Sequence, residues 1–162
     1  VSVAALKRSP GTVQHERRCG PISGLAVTAT RVPEGGEVCV EADLEAVHGG
    51  VMAHGTVTTA WEGECRRCLG PATGTLRTEV RELFETGSDA EETYPLQGEQ
   101  LDLEPLARDA VLLELPQTPL CAEACKGLCP TCGANRNESG CQCETTTVDP
   151  RWTALDVLRH DT

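Results

Sequence analysis

VMAHGTVTTAWEGECRRCLGPATGTLRTEVREL, residues 51–83, consists of two β-prone runs joined at a C-x-x-C. Val51, Ala53, Val57 and Trp61 fall in one register, the period of a strand that buries one face. The run leads straight into Cys65-Arg66-Arg67-Cys68, Gly70-Pro71 continues the turn, and Ala72 to Leu83 reads as the returning strand. A C-x-x-C at a hairpin tip is the usual seat of a zinc knuckle. Two thiolates a turn apart grip one ion, and the tight turn aims backbone N–H groups at the sulfurs. Gly55 marks an expected bend or bulge in the outgoing strand.

Upstream, Val38 to Val47 alternates: Val38, Val40, Ala42, Leu44 and Ala46 on one side, Glu41, Asp43 and Glu45 on the other. That is a half-buried strand, and His48-Gly49-Gly50 joins it to the next one as a hairpin. Ile22 to Thr30 reads as a further short strand, Pro33 to Gly36 as a turn, and residues 1–20 as a loose arm or early edge segment. Downstream, residues 85–104 hold seven acidic side chains and no Lys or Arg. They predict a solvated loop, with a docking surface for a basic partner as the sharper alternative. LDLEPLARDAVLLELP, residues 101–116, predicts a long helix. Asp102 is its N-cap, Pro105 lies in its first turn, Leu103, Leu106, Ala110, Val111 and Leu113 form its apolar face, and Pro116 stops it. Asp149-Pro150 opens a short terminal helix with Trp152, Leu155 and Leu158 on one side.

CAEACKGLCPTCGANRNESGCQC, residues 121–143, gathers six of the ten cysteines. Cys129 and Cys132 form a second C-x-x-C with Gly133 behind it, and Cys141-x-Cys143 adds two sulfurs after an Asn- and Gly-rich spacer. Zinc takes four soft ligands in a tetrahedron, with Zn–S near ~2.3 Å. Two C-x-x-C motifs, one C-x-x-x-C and one C-x-C therefore predict two sites. One is Cys129, Cys132, Cys141 and Cys143; the other is Cys65, Cys68, Cys121 and Cys125. The competing assignment is one ion, with Cys125 replacing Cys141 or Cys143 and the other thiols free. Cys19 and Cys39 lack close partners in the sequence. Cys39 reads as a small strand residue and Cys19, beside Arg18, as a surface thiol.

The chain has 162 residues, a net charge of −11 and 2% aromatic residues, so Val, Leu and Ala must build the core and metal is a useful supplement. The charge argues against a general phosphate binder, whose affinity would come from Lys and Arg. Any RNA contact must be a local patch, and Arg66, Arg67, Lys126 and Arg136 around the cysteines are the candidates. Residues 85–104 fit the other class, an acidic adaptor for a basic protein partner. Ten cysteines also suit a secreted, disulfide-stapled protein. The paired spacings favour metal over that reading, and the first residues hold no apolar run of signal-peptide length. No segment reaches the ~18–20 apolar residues of a membrane span, and the chain reads as cytoplasmic.

Catalysis is not indicated. Four thiolates close the zinc shell, and His15, His48, His54 and His160 show no metal-hydrolase spacing. A thiol-redox role is the less favoured enzymatic alternative, because such a pair usually opens a helix in a βαβ unit. The expected fold is α+β: an antiparallel, hairpin-rich body of three or more strands with a long helix, and a cysteine-rich, zinc-binding C-terminal segment. The expected divisions are residues 1–116 as body and helix, 117–148 as zinc-knuckle segment, and 149–162 as terminal helix and tail.

Four stretches together resemble the YceD family, the large ribosomal RNA subunit accumulation proteins. They are Glu64-Cys65-Arg66-Arg67-Cys68-Leu69, the run LDLEPLARDAVLLELP, the run PLCAEACKGLCPTCGANRNESGCQC, and the terminal DPRWTALDVL. The resemblance covers nearly the whole chain and is weakest in residues 1–50. It implies a non-catalytic cytoplasmic protein involved in accumulation or processing of large-subunit (23S) ribosomal RNA.

Overall fold

In a computed structural model of the chain, residues 1–8, 11–87, 93–138, 140–143 and 151 are described. The elements are α1 (Ala4–Arg8), β1 (Val13–Pro21), β2 (Thr30–Arg31), β3 (Glu37–Val47), β4 (Gly50–Glu64), β5 (Pro71–Glu85), β6 (Tyr94–Gln97), β7 (Gln100–Leu101) and α2 (Glu104–Glu114). The strands form one curled, half-barrel sheet in the order β1-β3-β4-β5-β6-β7, with β2 paired to β4. All neighbours are antiparallel except β5 and β6.

The alternation in β3 buries Val38, Val40, Ala42 and Leu44 and exposes Glu41, Asp43 and Glu45. Val51, Ala53 and Val57 of β4 and Leu76, Val80 and Phe84 of β5 continue the same inner face. The two-residue turn His48-Gly49 closes the β3–β4 hairpin, with Gly49 at φ 90°. The β4–β5 ladder then runs unbroken from Gly50 opposite Glu85 to Glu64 opposite Pro71. Gly55 is therefore not a bulge. It faces Ala42 across the ladder, where the sheet curls so closely that a Cβ would strike the Glu41 carbonyl oxygen.

The expected α+β class with a long helix is corrected here: of the described residues, strand accounts for 46% and helix for 12%. Among the described residues the two helices hold 5 and 11 residues. Leu101 joins β7, and the N-cap of α2 is Leu103, without a side-chain cap, rather than the expected Asp102, whose carboxylate accepts the Glu104 N–H at 3.0 Å just ahead of the helix. α2 buries Leu106, Ala107 and Val111, with Leu103 and Leu115 buried at its two ends. Leu113 is 83% exposed, because two residues from Val111 is about 200° around a helix.

Two further expectations change. Ile22 to Thr30 is a loop apart from Thr30, the start of β2, and an isolated bridge from Ala26 to Arg31. Within residues 85–104, β6 and β7 replace the solvated loop, and residues 88–92 lie outside the described residues. The acidic count concealed Leu96 and Leu101, both buried, and Tyr94, whose ring stacks on Phe84 at 5.2 Å. The arm before β3 is an edge strand, β1, as one of its two readings had it. The terminal helix expected from Trp152, Leu155 and Leu158 lies outside the described residues.

Cys19 and Cys39 do have partners: each other. They are opposite residues of β1 and β3, with Cα atoms 4.1 Å apart, and form a disulfide. Two thiols twenty residues apart in sequence are made neighbours by strand register, which spacing alone does not reveal. Cys39→Ser should lower unfolding free energy by about 3 kcal/mol, the loop-closure value for a crosslink of this span. Urea unfolding of the two proteins checks it.

Candidate metal centres

The β4–β5 ladder stops at Glu64 and Pro71, which leaves residues 65–70 to make the hairpin tip. The Cys65 N–H donates to the Gly70 carbonyl at 2.7 Å and the Leu69 N–H to the Cys65 carbonyl at 2.9 Å. This compact turn sets Cys65 and Cys68 side by side. The chain leaving α2 then returns across the tip. Arg66 N–H donates to the Pro119 carbonyl and Leu128 N–H to the Arg67 carbonyl, both at 2.9 Å. Residues 119–128 are thereby laid along the turn, and Cys121 and Cys125 meet the hairpin thiols.

The Sγ atoms of Cys65 and Cys125 are 3.8 Å apart, and those of Cys68 and Cys121 are 3.6 Å apart. All four sulfurs lie within 4.8 Å of one another. A tetrahedron with sulfurs ~2.3 Å from its centre has edges of ~3.8 Å. The spacing therefore fits four thiolates around one ion of zinc's size. Cys65, Cys68 and Cys125 are buried and Cys121 is exposed, so the centre closes against the protein on three sides.

Cys129, Cys132, Cys141 and Cys143 form a second group, again with all sulfurs within 4.8 Å. Its turn repeats the first. Gly133 N–H donates to the Cys129 carbonyl at 2.8 Å, and Gly133 has φ 72° where Leu69 has φ 58°. The two groups share one loop: Cys125 belongs to the first and Cys129 to the second, four residues further along. Gly127 between them has φ 69°, and a Cβ there would press on the Arg67 carbonyl oxygen at 2.9 Å. The structure thus brings the eight cysteines together in the two-site grouping and places Cys125 with Cys65, not with Cys129.

Backbone dipoles prepare one thiol in each group for the thiolate form. The Cys121 backbone N–H, helped by those of Cys68 and Arg67, brings the Cys65 thiol down to about 6. The Cys132 and Thr131 backbone N–H groups bring Cys129 down to about 6. The remaining protons gather on the outer sulfurs. Hydrogen bonding to Cys125 pushes Cys121 up to about 12, and hydrogen bonding to Cys132 pushes Cys143 up to about 12. Each group thus sets a thiol with a lowered pKa beside one with a raised pKa, which suits a site that releases protons on taking up a cation.

Arg66 and Arg67 sit on the hairpin tip, and Lys126 and Arg136 on the segment tied to it by the bonds from Leu128 N–H to Arg67 and from Arg136 N–H to Gly127. Arg66, Arg67, Lys126 and Arg136 are all exposed. Arg67 is also structural: its Nη1 donates to the carbonyls of Glu123 and Cys125, both at 3.1 Å. His15 pairs with Asp43 at 2.8 Å on the outer face of the sheet, which raises its pKa. None of the described histidines joins either cysteine group.

Sequence reasoning missed Asn137. Its Nδ2 donates to the Cys125 sulfur at 3.3 Å and its Oδ1 accepts the Lys126 N–H at 2.8 Å. A residue in the spacer of the second group therefore braces the first. The only available signal was Asn135-x-Asn137, whose local hydrogen bonds fix the turn. Asn137→Ala should weaken metal binding by the first centre about 10- to 100-fold, the usual loss when a partner of a ligating residue is removed. Competition with a chromophoric chelator measures it, with the second centre as internal control.

A profile of the family described as Large ribosomal RNA subunit accumulation protein YceD matches residues 53–159. The chain is 36% identical over 166 residues to an uncharacterized protein of Mycobacterium tuberculosis, covering 96% of this chain and 78% of that one. It is 28% identical over 169 residues to an uncharacterized protein of Mycobacterium leprae, covering 98% and 77%. A shorter match, 37% identical over 67 residues, covers 41% of this chain and 21% of Large ribosomal RNA subunit accumulation protein YCED homolog 1, chloroplastic, of Arabidopsis thaliana. No solved structure matches.

Proposed function

Because this chain belongs to the YceD family, we propose that it is a non-catalytic, zinc-binding scaffold that supports accumulation of the large-subunit (23S) ribosomal RNA. The observation that carries the zinc assignment is the all-thiol donor set, with sulfur pairs 3.6 and 3.8 Å apart in the first group. Cys65, Cys68, Cys121 and Cys125 would hold one ion; Cys129, Cys132, Cys141 and Cys143 would hold the other. Bound there, zinc supplies a crosslink with a closed shell and no open position for a reacting water. The chain's own residues do the rest: the hairpin tip presents two sulfurs, residues 119–128 bring two more, and Asn137 and Arg67 fix the strap between the groups. The body of residues 1–116 and the metal segment of 117–148 are proposed as separate units, with 149–162 as a tail. The small cluster at the tip is where the two meet: Cys65, Cys68 and Ala72 of the body pack with Cys125 and Leu120, and Trp61 packs against both this cluster and the main core.

Native mass spectrometry should find two zinc ions per chain; one would remove the two-site arrangement. For partners, the exposed Arg66, Lys126 and Arg136 support direct RNA contact at the knuckle. A net charge of −11 supports the adaptor reading, in which a basic ribosomal or assembly protein is held. Pull-down from cell extract with and without ribonuclease separates them, because only the adaptor keeps its partner after RNA is digested. Reversible oxidation of the eight thiols without metal release would favour a redox role instead.

A further inference from the structure

Cys19 and Cys39 take no part in either metal group. Their disulfide crosses from β1, at the edge of the sheet, to β3. The other eight cysteines are free thiols. A compartment that keeps eight thiols reduced also holds thiols able to attack an exposed disulfide. Cys19 is exposed and Cys39 half-buried. Cys39 lines a cleft of ≈ 370 Å³ with Arg17, Glu41, Thr58 and Arg77, which admits a thiol to the bond. The strand that carries Cys19 is also held unlike the others. β1 alone among the strands buries no side chain. The chain is anchored on either side of it, by Val3 and Leu6 before and Leu25 after, all buried. β1 is therefore a strap between anchors, held to β3 by ladder hydrogen bonds, the exposed His15–Asp43 pair and the disulfide.

We infer that Cys19–Cys39 is a thiol-exchange site whose reactant is a dithiol, and that opening the bond releases β1 from the sheet. The inference goes beyond the function proposed above and does not rest on it. One thiolate of the dithiol attacks the exposed Cys19 Sγ, the bond to Cys39 breaks, and Cys39 leaves as a thiolate that takes up a proton. The second thiolate of the dithiol then attacks its own partner sulfur in the mixed disulfide and displaces Cys19, which is protonated in turn. Two electrons and two protons pass to the pair: Cys19 and Cys39 end as thiols and the dithiol as a disulfide. With the crosslink gone, no buried side chain returns β1 to its place. Release frees the β3 backbone groups that pair with β1. It also opens a cavity of ≈ 290 Å³ that Arg18, Cys19 and Pro21 line together with the apolar Val38, Val40 and Leu103.

The test uses the full-length chain loaded with zinc, with Cys19→Ser, Cys39→Ser and the double variant beside it. The probe is dithiothreitol in graded ratios of its reduced and oxidised forms. Peptide mass spectrometry after alkylation should show the wild-type pair passing from disulfide to two thiols without denaturant, and returning on oxidation. Amide exchange in β1 should accelerate at least about 10-fold in the reduced form, while β4 and β5 keep their rates. The double variant should exchange β1 at that faster rate with or without the dithiol. With oxidised glutathione, Cys39→Ser should form a mixed disulfide at Cys19 at least about 10-fold faster than Cys19→Ser forms one at Cys39, because the exposed sulfur is the one attacked. Wild type that stays crosslinked until it is unfolded overturns the inference, and so does reduction that leaves β1 protected. Equal rates for the two single variants overturn the assignment of Cys19 as the sulfur attacked. The zinc count, taken before the dithiol is added, bears on the proposed function alone.

Discussion

Cys125→Ser should reduce the bound metal from two ions to one and detach residues 119–128 from the hairpin tip. Cys125 is the hinge between the groups: its sulfur is 3.8 Å from that of Cys65, and its carbonyl takes the Arg67 guanidinium. Serine is similar in size but leaves the metal three soft ligands and one poor one. The remaining hydrogen bonds between strap and tip are the backbone pairs Arg66 to Pro119 and Leu128 to Arg67 and those from the Arg67 guanidinium to the carbonyls of Glu123 and Cys125. Without the ion, these ties close a loop that spans the whole of β5 to α2, and loop closure opposes them. Amide exchange in residues 119–128 should therefore accelerate by about 100-fold, as expected when a segment passes from globally protected to locally opening. Exchange in β3 and β4 should not change. Native mass spectrometry and hydrogen exchange on one sample give both readouts. Retention of two ions would place Cys125 outside the coordination shell.

How much of this was legible beforehand depends on which physical signal each residue carried. The alternation in β3, the His48-Gly49 turn and the pairing of Cys65 and Cys68 at a tip are local, with a period or a spacing that survives in the sequence. The grouping of Cys65 and Cys68 with Cys121 and Cys125 was reached by counting sulfurs, and the structure brings those four together. What sequence could not supply were relations fixed by register or by return of the chain. Cys19 and Cys39 become neighbours only when β1 lies beside β3. Asn137 reaches Cys125 only because the second group folds back on the first. The long helix was overcalled for the opposite reason: its apolar spacing is real, but Leu101 at its start is claimed by pairing with Leu96. Leu113 matched the wheel by composition rather than by angle. In residues 85–104 net acidity outweighed Leu96, Leu101 and Leu103, all three of them buried.

Phe84→Ala should destabilise the body by about 3–5 kcal/mol, the range for deleting a buried aromatic ring. For a chain of this size that corresponds to a fall of roughly 10 °C in Tm. Phe84 is fully buried and lies opposite Val51 across the β4–β5 ladder. Its ring stacks on Tyr94 with a centroid separation of 5.2 Å, and Phe84 with Glu85 makes the parallel pairing to Tyr94 and Pro95. Removing the ring opens a cavity beneath β6 and also strips the face on which β6 is held. The far end of the same two strands carries Cys65 and Cys68, whose small apolar cluster does not include Phe84. Metal content should therefore remain at wild-type stoichiometry while the urea midpoint falls. A variant that lost stability and metal together would show that the knuckle cannot hold its sulfurs in place without a fully packed sheet behind it, and the division into body and metal segment would fail.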